Sequence, residues 1–234
     1  ALPIFNEMTA ECEDVVVSIT LAPELNGSLN LIKHLSKKNI NCSLGHTRAT
    51  YEETMKAIDA GANHSTHLYN AMPPFNHRSP GIIGALFDSS KITIETISDG
   101  IHISYPALRI AYKQKSSDKS ILVTDAMMAC CMPDGNYTLG GQDVIVKDNA
   151  ARIKTGSLAG SVLTLDAAIR NVYNNCNMPL YEVVKMATYN PAKYCNVSDH
   201  KGLIKKGYDA DLVLFDENIN VKQVFIDGKS IFNA

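Results

Sequence analysis

Residues 62–73 read Ala62-Asn63-His64-Ser65-Thr66-His67-Leu68-Tyr69-Asn70-Ala71-Met72-Pro73. Gly61 precedes them, and a loop rich in Pro, Gly and Arg follows as far as Gly84. Two histidines, an amide and a tyrosine ahead of a proline read as a short buried strand that stops abruptly and hands its last side chains to a pocket. Residues three apart on a strand face opposite sides, so His64 and His67 cannot easily share one ion. His67, nearer the strand end, is the better ligand candidate, and His64 reads as a packed supporting residue.

The flanking sequence repeats one pattern. Val15 to Ala22 is a β-branched run ending at Pro23, which predicts a strand buried on both faces. Leu29 to Lys38 has apolar residues at helical spacing. Ile40 to Gly45 is a second strand, ending at His46. Thr50 to Ala60 predicts a helix with Thr50 as cap, Glu53 completing a capping box and Gly61 as the stop. Residues 82–88 suggest a helix, Lys91 to Ile97 a fourth strand, Tyr105 to Lys115 a helix and Ser120 to Thr124 a fifth strand. Strand and helix alternating every roughly 25–30 residues mean βαβ units and a parallel sheet. After Met127 the pattern changes. Gly135 to Arg152 is Gly-punctuated and alternating, which predicts two or three antiparallel strands. Leu163–Asn174 and Leu180–Thr188 read as helices, and the tail from Gly202 as a small antiparallel unit. The chain opens within what reads as a helix.

Composition excludes several classes of function. A formal net charge of −2 without a long basic run offers no field for nucleic acid. No apolar stretch approaches the ~20 residues of a membrane helix. Residues 1–7 lack the basic start and apolar middle of a secretory signal. Six cysteines without a CxxC pair indicate neither a zinc ribbon nor a disulfide framework, and point to reduced thiols in the cytoplasm.

Polar residues stand at the C-terminal ends of the successive strands: Glu24, His46, His67, His102 and Asp125. In a parallel β/α barrel that rim carries the active site. Singly they have ordinary alternatives: His46 and His102 alone read more readily as hydrogen-bonded loop residues, and Arg78 reads equally as a solvated cation. Asp125 ends an apolar run, where a carboxylate is costly to desolvate without a cation or donors. Together, two histidines on adjacent strands and an aspartate two strands later suit a hydrolytic metal site, in which the ion acidifies water and the carboxylate takes the proton. The donor set suits Zn²⁺, with Fe²⁺ or Mn²⁺ as other occupants. The guanidinium of Arg78, with the backbone N–H groups at Asn70 and Ala71, suits a phosphate.

The segments Gly45-His46-Thr47, Thr66-His67-Leu68-Tyr69-Asn70-Ala71-Met72-Pro73, Ser98-Asp99-Gly100-Ile101-His102, Leu122-Val123-Thr124-Asp125-Ala126 and Leu158-Ala159-Gly160-Ser161 resemble the N-acetylglucosamine-6-phosphate deacetylases. The tail Gly202-Leu203-Ile204 with Ala210-Asp211-Leu212-Val213 is similar to a signature of the wider amidohydrolase superfamily. The likeness runs from about Val15 to the end. It implies an α/β fold of the (β/α)₈ TIM-barrel type with a small β-sandwich, and hydrolysis of an N-acetyl group to an amine and acetate. It implies His46 and His67 as ligands of a divalent metal and Asp125 as the catalytic acid and base. It further implies His102, Asn70 and Ala71 as substrate contacts, and Arg78 as a phosphate contact across a homodimer interface.

That family also carries, upstream of the strand at Val15, an HxH-type segment and a segment whose Glu ligates the metal, and neither is present in these residues. The expectation is therefore barrel strands four to eight of a longer protein. Residues 1–127 would hold those strands with their helices, 128–153 a β-hairpin region, 154–199 the last barrel helices and 200–234 sandwich strands. Glu24 is a substitute ligand to consider. Two other readings stay open: a different amidohydrolase acting on N-acyl amino acids or cyclic amides, and a chain that binds a sugar phosphate without catalysis.

Overall fold

Five strands pair side by side in chain order and run parallel: β1 (Ser18–Leu21), β2 (Asn41–Leu44), β3 (His64–Ser65), β4 (Thr93–Ile97) and β5 (Ser120–Val123). A computed structural model describes all residues 1–234. Helices α1 (Leu2–Thr9), α2 (Ser28–Lys37), α3 (Tyr51–Ala60), α4 (Gly81–Asp88) and α5 (Tyr105–Lys115) alternate with these strands. The expected βαβ repetition is present, with each crossover stepping to the next position in the sheet.

The two faces of the sheet differ chemically. Cys42 and Leu44 of β2 and Ile94 of β4 bury against Ile32, Leu35, Ile58, Ile82 and Leu86 of α2, α3 and α4. On the other side polar groups pair across strands. Thr66 Oγ1 lies 2.9 Å from Thr20 Oγ1 and 2.6 Å from Ser43 Oγ, and His64 Nε2 lies 2.8 Å from Glu95 Oε1. This polar lining corrects the expectation for the first strand. The strand is four residues long, Val15 and Val17 are exposed, and a 3₁₀ turn occupies Glu13–Val15. Ile19 and Leu21 pack against the helical core while the hydroxyls of Ser18 and Thr20 pair with Tyr194 and Thr66, so the run buries one apolar face only.

Local signals set the helix ends. Thr50 Oγ1 accepts from the Glu53 N–H at 3.2 Å while Glu53 Oε2 accepts from the Thr50 N–H at 2.8 Å, the reciprocal box expected at the start of α3. Gly61 ends α3 at φ 120°, and a Cβ there would stand 2.6 Å from Ser36 Cβ.

Beyond β5, an antiparallel sheet forms from β6 (Gly135–Leu139), β7 (Gln142–Lys147) and β8 (Ala150–Ile153). Helices α6 (Leu165–Asn175), α7 (Leu180–Ala187) and α8 (Tyr189–Tyr194) follow. A last antiparallel sheet holds β9 (Leu212–Phe215), β10 (Val221–Ile226) and β11 (Lys229–Asn233). Ile97, Leu108, Leu122, Val172, Val183 and Met186 form a second core, which packs α5, α6 and α7 against β4 and β5. No helix is long and apolar enough to cross a membrane.

Candidate functional site

The 62–73 stretch forms a much shorter strand than its sequence suggests. Only His64 and Ser65 join the ladder. The backbone then takes positive φ at every second residue: His67 at 30°, Tyr69 at 73° and Ala71 at 52°. His46 after β2 (φ 48°) and Asp125 after β5 (φ 50°) share that conformation. Non-glycine residues in this region cost about 1–3 kcal/mol each and gather at functional sites. His and Asp tolerate it better than Tyr or Ala, so the strain is greatest at residues 69 and 71. The alternation leaves backbone donors free. The N–H groups of Tyr69 and Ala71 meet no acceptor within the chain, while Leu68 N–H bonds Glu95 O at 2.8 Å and Asn70 N–H bonds His67 O at 3.0 Å. Alternating backbone of this kind forms concavities that suit anions.

His46 and His67 come together. Their Nε2 atoms are 2.9 Å apart, and the rings meet edge to face at a centroid distance of 4.7 Å. Two imidazoles on one tetrahedral zinc ion, with Zn–N near 2.0–2.1 Å, place their nitrogens about 3.3 Å apart. A few tenths of an ångström of opening would therefore admit a divalent cation, and two neutral imidazole nitrogens are the right donor chemistry for one. His67 is buried, and its Nδ1 has no partner within the chain. No third His, Cys, Asp or Glu side chain converges with this pair as a metal-ligating group.

His64 is fully buried below them, stacked on Tyr194 at 3.9 Å between ring centroids. It reaches the pair only through Glu95. One carboxylate oxygen of Glu95 meets His64 Nε2 at 2.8 Å, and the other accepts from the His67 backbone N–H at 3.3 Å. Reading residues 62–73 as a strand end did not single out Glu95. The signal was present: an acidic residue amid apolar neighbours in the Ile92–Ile97 strand needs a buried partner.

Glu24 is already engaged. Its two oxygens accept from Thr47 Oγ1 at 2.5 Å and from the Arg48 N–H at 2.8 Å. Partial burial pushes its carboxyl upward, but these donors outweigh that and leave its pKa lowered. Glu24 therefore pins the loop after β2 and is not free to ligate an ion. Thr47 N–H also bonds Ala71 O at 3.2 Å, tying the loops after β2 and β3 together. An open cleft of about 600 Å³ lies along this seam, lined by His46, Thr47, Arg48, Ala71, Met72 and Pro73.

His102 is oriented by Asp99, a residue whose role the sequence reading left unassigned. Asp99 Oδ2 lies 2.6 Å from His102 Nδ1, and its Oδ1 accepts from the N–H groups of Ile101 and His102 at 2.8 and 2.7 Å. Burial pushes the Asp99 carboxyl up, yet this set of donors holds it below the ordinary value. The arrangement fixes the Nδ1–H tautomer and leaves His102 Nε2 without a partner in the chain.

Asp125 is exposed at the end of β5, its carboxylate without an internal partner. The cost of desolvation therefore does not apply to it. What holds it is backbone. Asp125 O accepts from the Ser161 N–H at 2.8 Å, the Met127 N–H bonds Ser161 O at 2.9 Å, and Ser161 Oγ donates to Thr124 O. Gly160, at φ 64°, permits this approach, since a Cβ there would lie 3.3 Å from Asp125 O. Asn70 Nδ2 donates back to Leu68 O at 3.1 Å and shapes its own loop. Arg78 is exposed in the turn closed by the Asn76–Ser79 bridge, and its guanidinium is unpaired.

The geometry thus unites the two histidines and the Ala71 turn, while His102, Asp125 and Arg78 stand on other loops. The chain is similar to an N-acetylglucosamine-6-phosphate deacetylase from Lysinibacillus sphaericus, 43% identical over 92% of this chain and 55% of that protein. An N-acetylgalactosamine-6-phosphate deacetylase from Escherichia coli O157:H7 is 37% identical over 96% of this chain and 59% of its own length. Among solved structures, an N-acetyl-D-glucosamine-6-phosphate deacetylase variant from Mycobacterium smegmatis, in complex with N-acetyl-D-glucosamine-6-phosphate, superposes with a TM-score of 0.94. It is 35% identical, and the match covers 98% of this chain and 61% of that one. The chain spans about half the length of the curated relatives it matches. A model of the amidohydrolase family matches residues 5–231, and the chain belongs to that family.

Proposed function

We propose that the protein containing this chain is a metal-dependent deacetylase that hydrolyses the N-acetyl group of N-acetylglucosamine 6-phosphate to glucosamine 6-phosphate and acetate. The observation that carries the reading is the approach of His46 and His67 to 2.9 Å at the ends of adjacent parallel strands, in a chain 43% identical to a deacetylase of that name. Amidohydrolases are generally metal-dependent, and His46 and His67 are the residues that would hold the ion, Zn²⁺ by donor type or else Fe²⁺ or Mn²⁺. Bound there, a divalent cation supplies Lewis acidity toward the acetyl carbonyl and a water acidified toward neutral pH.

The rest of the reaction falls to the chain's own side chains. Asp125, exposed and unpaired, accepts a proton from the attacking water and returns it to the departing amine nitrogen. His102, its Nδ1 committed to Asp99, directs the free Nε2 toward the substrate. Asn70 and the free N–H of Ala71 line the phosphate end, and Arg78 adds a bidentate charge from a neighbouring subunit of a homodimer. In this reading the parallel sheet is an arc of a (β/α)₈ barrel, strands four to eight, with residues 1–127, 128–153, 154–199 and 200–234 as its successive parts. The uninterrupted strand order supports an arc over a doubly wound sheet, in which the order reverses. Six unpaired cysteines accord with a cytoplasmic location.

The relative from Escherichia coli acts, by its name, on the galactosamine epimer, so sugar configuration is the open part of specificity. Acetate release by the full-length protein should be compared for the two 6-phosphates and for unphosphorylated N-acetylglucosamine. The reading expects turnover of a 6-phosphate and a large loss without the phosphate. Equal turnover of N-acyl amino acids or cyclic amides would replace it with another amidohydrolase activity.

A further inference from the structure

The loop that leaves Asp125 carries five sulfur side chains in six residues: Met127, Met128, Cys130, Cys131 and Met132 around Ala129. Nothing in the proposed hydrolysis uses them. Cys130 Sγ and Cys131 Sγ lie 3.8 Å apart. Neighbouring side chains usually diverge. These converge because Cys131 takes positive φ, 64°, while the Cys130 N–H to Met127 O and Met132 N–H to Ala129 O bonds, both 3.0 Å, fold the loop into successive turns. Cys130 Sγ is further seated 3.5 Å from Val162 O and 3.7 Å from Leu163 O, on the segment that follows Ser161. Cys131 is exposed, and so are Met128 and Met132 beside it.

In the reduced pair the 3.8 Å approach is a thiol–thiol hydrogen bond, and its length separates a chelate from a disulfide. Two thiolates on one tetrahedral ion with metal–sulfur bonds near 2.3 Å stand about 3.8 Å apart. A disulfide instead needs about 2.05 Å between sulfurs and usually Cα atoms 4.4–6.8 Å apart. Adjacent residues across a trans peptide offer only about 3.8 Å between Cα atoms. The pair thus matches a chelate and would have to distort to form a disulfide. Thiolate and thioether donors select soft ions over Mg²⁺ or Ca²⁺.

We propose that Cys130 and Cys131 form a surface site for a soft d¹⁰ cation, of the Zn²⁺, Cd²⁺ and Cu⁺ class, separate from the histidine pair. Each metal–sulfur bond replaces one S–H bond, so binding releases two protons and changes no oxidation state. Solvent completes the coordination. Burial, with Cys131 alongside, pushes the Cys130 thiol above its ordinary value, so affinity should rise with pH.

The probe is Cd²⁺, whose ultraviolet thiolate charge-transfer band reports sulfur ligation and is blind to histidine. Titration of the full-length reduced protein should raise the band to saturation at one ion per chain, with two protons released. Cys131→Ser, at an exposed position that leaves the core intact, should remove the band or weaken binding at least about tenfold. Cys130→Ser should do the same, and the double variant Cys12→Ser/Cys195→Ser should titrate like the wild type. A wild type that shows no band while its thiols remain free overturns the proposal. So does a Cys131→Ser variant that binds with unchanged affinity, or a spontaneous loss of two thiols to a Cys130–Cys131 disulfide.

Discussion

Glu95 takes a hydrogen bond on each carboxylate oxygen, from the buried His64 ring and from the His67 backbone, so one side chain ties two strands beneath the candidate ligand. Removing it leaves both nitrogens of His64 unpaired in the interior, because His64 Nδ1 already lacks a partner. Glu95→Ala is therefore expected to destabilise the fold by about 1–3 kcal/mol, measured by denaturant unfolding, with Glu95→Gln recovering most of it. An unchanged midpoint in Glu95→Ala would remove the clamp. Asp99 offers a second test at this scale. Its carboxyl is held below the ordinary aspartate value in the folded state, so its contribution is complete above that ordinary value and is lost as pH falls through the lowered one. The wild type should thus lose stability relative to Asp99→Asn only below about pH 4, read from acid unfolding of the two proteins. The ligand candidates were legible at this scale because polar residues closed apolar runs. Glu95 and Asp99 were missed because each is defined by what it holds across strands or turns.

Among the elements, boundaries followed where a local rule governs them. The Thr50 and Glu53 spacing specified the start of α3, and the β6–β8 and β9–β11 sheets followed from glycine punctuation and alternation. Thr50→Ala should lower stability by about 1 kcal/mol in thermal unfolding, from loss of the cap. One element escaped for a physical reason. The strand after Gly61 stops after two residues because His67 turns into the left-handed region, which no period in the sequence encodes. The strap from Gly160 and Ser161 is an element-scale device for Asp125. Gly160→Ala should cost about 1–2 kcal/mol, since it adds a Cβ at positive φ and 3.3 Å from Asp125 O. A variant as stable as the wild type would mean that the strap is not needed.

For the molecule as a whole, the parallel order of the sheet was legible from alternation alone, whereas its polar face was not. A β-branched run predicts burial on both sides, but Thr20, Ser43, His64 and Glu95 line one side with hydrogen-bonding groups instead. A buried amine sets one further global property. Lys115 Nζ donates to Leu86 O at 2.9 Å and Ser89 O at 2.6 Å without a carboxylate nearby, and burial lowers its pKa to about 8. A lysine depressed in the folded state leaves the unfolded chain binding more protons between that value and the ordinary 10.5. Stability of the wild type relative to Lys115→Met should therefore rise with pH across that window, and a flat difference would contradict the burial of a charged amine.

In the proposed mechanism, His46 and His67 hold an ion that works with Asp125 on an N-acetyl sugar phosphate. Its most direct test is acetate release from N-acetylglucosamine 6-phosphate by full-length protein stripped of metal and then given one divalent equivalent, in the wild type and in Asp125→Asn. The expected result is activity that returns with the ion in the wild type and stays down about 10²–10⁴-fold in the variant. Release that ignores the ion, or that survives in Asp125→Asn, would contradict it.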